Sequence, residues 1–223
     1  MCGRYTLICI DDLGLRFRVY DPTLGFRSRF NVAPSDLMPV IVKHERTEAV
    51  TMQWGLISHF VKDVKGSQHP INARAETLAT RPMFKPLLEK NRCLVPASGF
   101  YEWRKDGRRA VPFYIHLKES SLFAFAGLYD VWYDAAGTLR PTYTIITTKA
   151  NELVAPLHDR MPVILKREDE DRWLSNDHLG TDALENILAP YPHGEMMAYP
   201  VSNSVNSTCA EDDERLILPV ATL

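Results

Sequence analysis

Runs of β-branched and aromatic residues recur along this chain, set apart by turn residues. Met38–Lys43, Cys93–Pro96, Gly99–Arg104, Pro112–Leu117, Leu122–Tyr133 and Thr142–Thr147 read as strands. The 15 Pro residues favour such pieces over long helices, because Pro lacks a backbone donor and biases the residue before it away from helical geometry. Asp106-Gly107, between two of the runs, is a hairpin turn signal. Helical patterns are fewer: Asp11–Val19, Phe84–Lys90, Arg167–Leu174 and Thr181–Leu188. In the last, Thr181 reads as the N-cap and Leu184, Ile187 and Leu188 as an apolar stripe. The mixture predicts an α+β fold with a mainly antiparallel, barrel-like β-sheet core and flanking short helices. Alternating βα units are absent, which excludes a doubly wound sheet. With no linker or repeat, residues 1–223 read as a single domain.

Several function classes drop out. No apolar run approaches the roughly 18 residues of a membrane span. Met1-Cys2-Gly3-Arg4-Tyr5 has no apolar signal core, and none of the 4 cysteines forms a C-x-x-C pair. The expectation is a cytoplasmic monomer with free thiols, no membrane partner, no cofactor and no metal, since no His/Cys/carboxylate spacing resembles a ligand set. The net charge of -2 is unevenly placed: residues 1–110 carry a surplus of positive charge and residues 111–223 a surplus of negative charge. That asymmetry fits a basic groove on an acidic body, and equally a chance scatter over solvated faces. The acidic stretch Glu211-Asp212-Asp213-Glu214 reads as a solvated loop.

Position 2 carries the most distinctive chemistry. Removal of Met1 would leave a chain that begins with a 1,2-aminothiol. An α-amine titrates near about 8 and a thiol near about 8.5, so both nucleophiles are expected to be partly available at neutral pH. An amine condenses with an aldehyde to an imine. A neighbouring thiolate can then close on the imine carbon to give a five-membered thiazolidine.

Four further segments stand out: Asn31-Val32-Ala33-Pro34, Ile71-Asn72-Ala73-Arg74-Ala75-Glu76, Ser98-Gly99-Phe100-Tyr101-Glu102-Trp103 and Leu157-His158-Asp159-Arg160-Met161-Pro162. With the opening Met-Cys-Gly-Arg-Tyr, with Trp54-Gly55-Leu56, with Arg81-Pro82-Met83-Phe84, and with Pro200-Val201-Ser202 and Val205-Asn206, this chain resembles the SOS-response-associated peptidase (SRAP) family from residue 2 to about residue 220. The resemblance implies abasic-site sensing through a covalent link at Cys2, in single-stranded DNA or at its junction with duplex. It also implies peptidase activity, with self-removal of Met1 as its narrowest form, and an AP-lyase-like activity.

The residues support roles beside that resemblance. An alternating strand puts Phe100, Glu102 and Arg104 on one face and Tyr101 and Trp103 on the other. A carboxyl among aromatics has a raised pKa, so Glu102 suits acid–base work on opening the sugar hemiacetal and on forming the imine. The plainer alternative is a strand-edge Glu paired with an Arg. His158 suits proton transfer to the sugar oxygen, with Asp159 orienting it or pairing with Arg160; a satisfied loop histidine is the alternative. His44, His59, His69, His116, His178 and His193 are read as structural. The resemblance gives Asn72 the sugar or the ring intermediate, against a turn-capping role.

For DNA contact the expectation is Arg4, Asn31, Arg74, Arg81 and Arg160 on phosphates, with Lys85, Arg104 and Lys105 widening the strip and Arg108 and Arg109 as surface charges. Trp54, Trp103 and Phe84 are the candidates for stacking on flanking bases, with burial in the core as the alternative. Two rival readings use the same residues: a hydrolase of the N-terminal-nucleophile class, and a non-enzymatic single-strand binding module. Cys9, Cys93 and Cys209 receive no role.

Overall fold

The computed structural model describes residues 2–8, 10–19, 25–107, 109–175, 177–209 and 211–220; Cys9 and Arg108 lie outside them. The strands are β1 (Tyr5–Leu7), β2 (Arg29–Val32), β3 (Leu37–Lys43), β4 (Thr47–Trp54), β5 (Asn72–Arg74), β6 (Arg92–Ala97), β7 (Gly99–Asp106), β8 (Arg109–Leu117), β9 (Phe123–Tyr133), β10 (Leu139–Lys149), β11 (Arg160–Pro162) and β12 (Met196–Pro200). Four short helices flank them: α1 (Leu13–Phe17), α2 (Lys85–Lys90), α3 (Arg167–Leu174) and α4 (Thr181–Ile187). Among the described residues no helix is long and apolar enough to cross a membrane.

Strands β10, β4, β3, β6 and β9 follow one another, and β9 pairs back with β10, so this sheet closes into a barrel. A second sheet, β12-β8-β7-β1-β2, is antiparallel throughout. The long strand β10 is the seam. One of its edges holds β9 over Leu139–Ile145 and then β11 over Thr147–Lys149. The other holds β4 at Thr142 and Tyr143 and then β5 over Ile145–Thr147, both parallel to it. Between β4 and β5 the chain leaves the sheet at Gly55, whose φ of 125° suits glycine and whose N–H still donates to the Tyr143 carbonyl.

Aromatic side chains bind the two sheets together. Tyr5 on β1 meets Trp54 edge-on at 5.3 Å and Phe125 at 5.9 Å, and its hydroxyl lies 2.8 Å from that of Tyr143. All four rings are buried, so the main core sits inside the barrel and under β1. A smaller cluster of Tyr101, Tyr114, Val201 and Val205 covers the far side of the second sheet.

The expected α+β barrel is what forms; each run read as a strand lies in one, except that β9 starts at Phe123, one residue after the expected Leu122, and the strands that hold the other runs are longer than expected. Gly107, at φ 59°, follows β7 where the hairpin turn was expected. Two helix readings need correction. Asp11–Val19 is not one helix: a 3-10 turn at Ile10–Asp12 leads into α1, which ends because Arg18 adopts left-handed geometry at φ 53°. Thr181 is the first helical residue of α4 and not its cap; Gly180 holds that place without a side-chain bond.

Gly127 on β9 is hemmed in by its two neighbouring strands, β6 and β10. A Cβ there would lie 2.8 Å from Cys93 Sγ, 2.9 Å from Val95 and 3.2 Å from the Thr144 carbonyl. Gly127→Ala is expected to lower stability by about 1–3 kcal/mol through overpacking, read as a lower urea midpoint at unchanged slope.

Candidate active site

Cys2 lies just ahead of β1, fully buried, with its Sγ 3.7 Å from the Arg4 carbonyl. That carbonyl also accepts the Tyr101 N–H, so the pairing of β1 with β7 continues to Arg4, the residue that the Cys2 thiol contacts. From the other side Asn72 Nδ2 donates to the Cys2 carbonyl at 2.8 Å. Two sheets therefore meet at residue 2. Burial, reinforced by the negative charge of Glu102, pushes the Cys2 thiol far above its ordinary range. The expectation of a partly ionised thiol is corrected: Cys2 is a neutral thiol here. Met1 precedes it in the sequence, so its nitrogen is an amide until Met1 is removed.

Glu102 has the expected placement. Phe100 packs in the main core while Tyr101 and Trp103 belong to the smaller cluster, so the pleat turns Glu102 toward the barrel side. Only 2% of Glu102 is exposed, and burial raises its pKa to about 7. The strand-edge placement is corrected, because β7 runs inside its sheet between β8 and β1. Asn72 is on β5, paired with Ile145, which rules out the turn-capping alternative. Its Nδ2 is committed to Cys2, and its buried Oδ1 accepts no hydrogen bond.

His158 is the residue on which two contacts disagree. Its Nδ1 accepts the Arg160 backbone N–H at 3.0 Å and also lies 2.7 Å from Asp159 Oδ1. A neutral ring cannot accept and donate at one nitrogen. Burial, with the positive charges of the N-terminal amine, Lys105 and Arg160, lowers the His158 pKa against the pull of Asp159. With Asp159 almost wholly exposed, the backbone contact decides: the neutral ring carries its proton on Nε2.

The expected DNA-contact residues divide. Arg74 and Arg81 are exposed and line, with Asn72, a groove of about 730 Å³. Arg4 is half-buried and aimed by three acceptors, Asn31 Oδ1 at 2.7 Å and the carbonyls of Val205 and Asn206. Asn31 is itself buried, its amide donating to the Val205 and Ser207 carbonyls, so it orients Arg4 and does not face DNA. Trp103 is half-exposed, held by Asn206 Oδ1 at its indole N–H.

Three expectations fail on burial. Trp54 is 1% exposed, stacked on Tyr143 with its N–H bonded to the Ile71 carbonyl. Phe84 packs into the core and offers the groove only an edge. The Arg160 guanidinium faces Glu76 and not solvent, because that carboxylate takes two of its nitrogens.

The aromatic that does stand on the groove rim was missed. Phe60, 58% exposed, projects from the excursion between β4 and β5 and packs edge-on against His59, which Asp130 anchors through Nδ1. Its signal was an aromatic ring in a segment without strand or helix pattern.

The family model for SOS response associated peptidase (SRAP) matches residues 1–208. Abasic site processing protein YoqW of Bacillus subtilis (strain 168) is 44% identical over 212 residues, covering 93% of this chain and 95% of its own. Abasic site processing protein YedK of Escherichia coli (strain K12) is 30% identical over 234 residues, covering 99% and 100%. A crystal structure of a protein from Bacteroides thetaiotaomicron superposes with a TM-score of 0.90 at 26% identity, over 99% of this chain and 100% of that one.

The raised carboxyl has a thermodynamic signature. Glu102 holds a proton up to about pH 7 when folded but only to its ordinary 4.5 when unfolded. Folding therefore takes up a proton in that window, and stability declines as pH rises through it. Glu102→Gln is expected to remove the decline and to gain on the order of 2–3 kcal/mol over the parent at pH 8, but little at pH 4.5. Urea titrations at the two pH values test this; a gain that does not grow with pH contradicts the assignment.

Proposed function

Because the chain belongs to the SOS response associated peptidase family, we propose that it processes abasic sites in DNA, capturing the lesion aldehyde on Cys2 once Met1 has been removed. What carries the reading is a terminal aminothiol whose carbonyl is clamped by Asn72 beside a buried carboxyl that titrates near 7.

An abasic deoxyribose rests mainly as a ring-closed hemiacetal. Ionised Glu102 takes the proton of the anomeric hydroxyl and passes it to the ring oxygen, which His158 Nε2–H steadies by a hydrogen bond, and the aldehyde opens. The Cys2 amine adds to the carbonyl carbon to give a carbinolamine. Glu102 then takes the remaining proton of the carbinolamine nitrogen and delivers it to the departing hydroxyl, and water leaves with formation of the imine. The neutral thiol then adds to the imine carbon, its proton passing to the nitrogen, and the thiazolidine closes. One water is lost overall. The Asn72 Oδ1 acceptor suits the nitrogen-bound hydrogen of the intermediate.

Burial suits this order of events better than thiolate-first attack on an amide, since a thiol held protonated is a weak opening nucleophile. The groove supplies the grip: Arg74 and Arg81 for phosphates and Phe60 for a neighbouring base. A strand interrupted by a missing base presents its sugar at little unstacking cost, so single-stranded DNA is the preferred partner.

Intact mass measures the central step. The trimmed protein incubated with an abasic oligonucleotide is expected to gain the mass of the oligonucleotide less one water. Cys2→Ser should bind the same DNA but yield only a hydrolysable imine, and a form that keeps Met1 should yield no adduct. Cleaved peptide substrates with no DNA adduct would transfer the case to the hydrolase reading.

Binding of an undamaged single strand should weaken with salt at a log–log slope of about -1.4, the value for roughly two phosphates, one each for Arg74 and Arg81. Phe60→Ala should weaken it by about tenfold through lost stacking. Fluorescence anisotropy at several salt concentrations measures both.

A further inference from the structure

Glu76 takes no part in the chemistry above, yet it joins the two strands that serve it. It lies on the 3-10 turn Ala75–Thr77, directly after the strand that carries Asn72. Its carboxylate receives Arg160 in a two-pronged contact, Nη1 to Oε1 at 2.6 Å and Nη2 to Oε2 at 2.9 Å. Arg160 opens β11, on the opposite edge of β10 from β5. The ion pair therefore crosses over the end of β10. Thr147 is the residue beneath it, paired with Arg74 on one edge and Pro162 on the other, and its carbonyl accepts Arg160 Nη2 at 2.5 Å. The backbone N–H of the same Arg160 is the donor that holds His158 Nδ1.

We propose that Glu76 is a positioning residue for capture of the aldehyde: it clasps the Asn72 strand to the strand that orients His158, and its charge offsets that of Arg160 beside the imidazole. The proposal rests on Asn72 and His158 serving Cys2 as described. Both of its links have physical content. Side chains must be held to a fraction of an ångström for acid–base work, and these two are far apart in the sheet: Asn72 is on β5, while His158 sits just ahead of β11, on the other edge of β10. Arg160 is largely buried while Glu76 keeps 44% of its side chain exposed, so the carboxylate is the removable half of the pair. The charged groups that act on the imidazole are the N-terminal amine, Lys105 and Arg160, which disfavour its cation, and Asp159, which favours it. Arg160 in turn holds the Glu76 carboxyl below its ordinary value through their hydrogen bonds.

Glu76→Gln keeps an acceptor for Arg160 and removes the charge. In the purified full chain, the His158 ring, followed by NMR without DNA, is expected to titrate at lower pH than in the parent, because Arg160 then acts on it uncompensated. The single-turnover rate of adduct formation should fall by about tenfold to a hundredfold, while an undamaged oligonucleotide binds no more weakly. Glu76→Asp, which keeps the charge on a shorter arm, should restore the titration and part of the rate. A Gln variant with the parent's His158 titration and the parent's rate overturns the proposal, as does a rate loss matched by loss of folded protein in circular dichroism. If the trimmed parent forms no adduct, the fault lies in the aldehyde-capture reading. The titration alone then decides on Glu76: a downward shift supports the clasp, and no shift ends it.

Discussion

Strand β10 is the member on which the rest of this molecule depends. It accepts hydrogen-bonded partners along both edges and changes partner on each, from β9 to β11 and from β4 to β5. A barrel wall is thereby extended into two short strands that have little stability of their own. Three residues cannot hold a β-conformation in water; Asn72, Ala73 and Arg74 are a strand only because β10 gives their backbone somewhere to bond. The amide of Asn72 inherits its fixed position from that seam, and residue 2 is pinned between it and β7.

Desolvation sets the charge state of what is pinned there. The thiol, the carboxyl and the imidazole are all shifted toward their neutral forms, and burial is the leading cause for each. A site built this way holds little fixed charge at neutral pH and several groups that exchange protons easily. Acid–base steps at a sugar carbon need that more than they need a permanent ion. The permanent ions stand outside, on Arg74 and Arg81 along the groove, where a polyanion would meet them. Most cationic side chains nearer the centre are bound already: Arg4 by Asn31 and two carbonyls, Arg160 by Glu76.

The strands with dense β-branched and aromatic content were legible from the residues alone, as was α3 to its last residue. Alternation correctly placed Glu102 on the face opposite Tyr101 and Trp103. What escaped notice was set by distant pairing. Tyr5–Leu7 and Asn72–Arg74 are too short to show a period, and Arg29–Val32 and Thr47–Trp54 mix polar and apolar residues. The roles of the aromatics were not legible either. Whether a tryptophan faces a ligand or a core depends on which strand lies over it, and Tyr5 and Tyr143 close over Trp54 from elsewhere in the chain. The same holds for the titrating groups: residue type suggests a nucleophile at Cys2, but only the surrounding density makes its sulfur a neutral thiol.

The turn Asn203–Asn206 reaches back across nearly the whole polypeptide. Carbonyls at Val205 and Asn206 aim Arg4, and the Asn206 side chain steadies Trp103. Arg4 and Trp103 thus take their orientation from a turn 201 and 103 positions further along the sequence. A single cut in that turn would loosen a guanidinium and an indole together, so two surface groups at neighbouring strands share one point of failure.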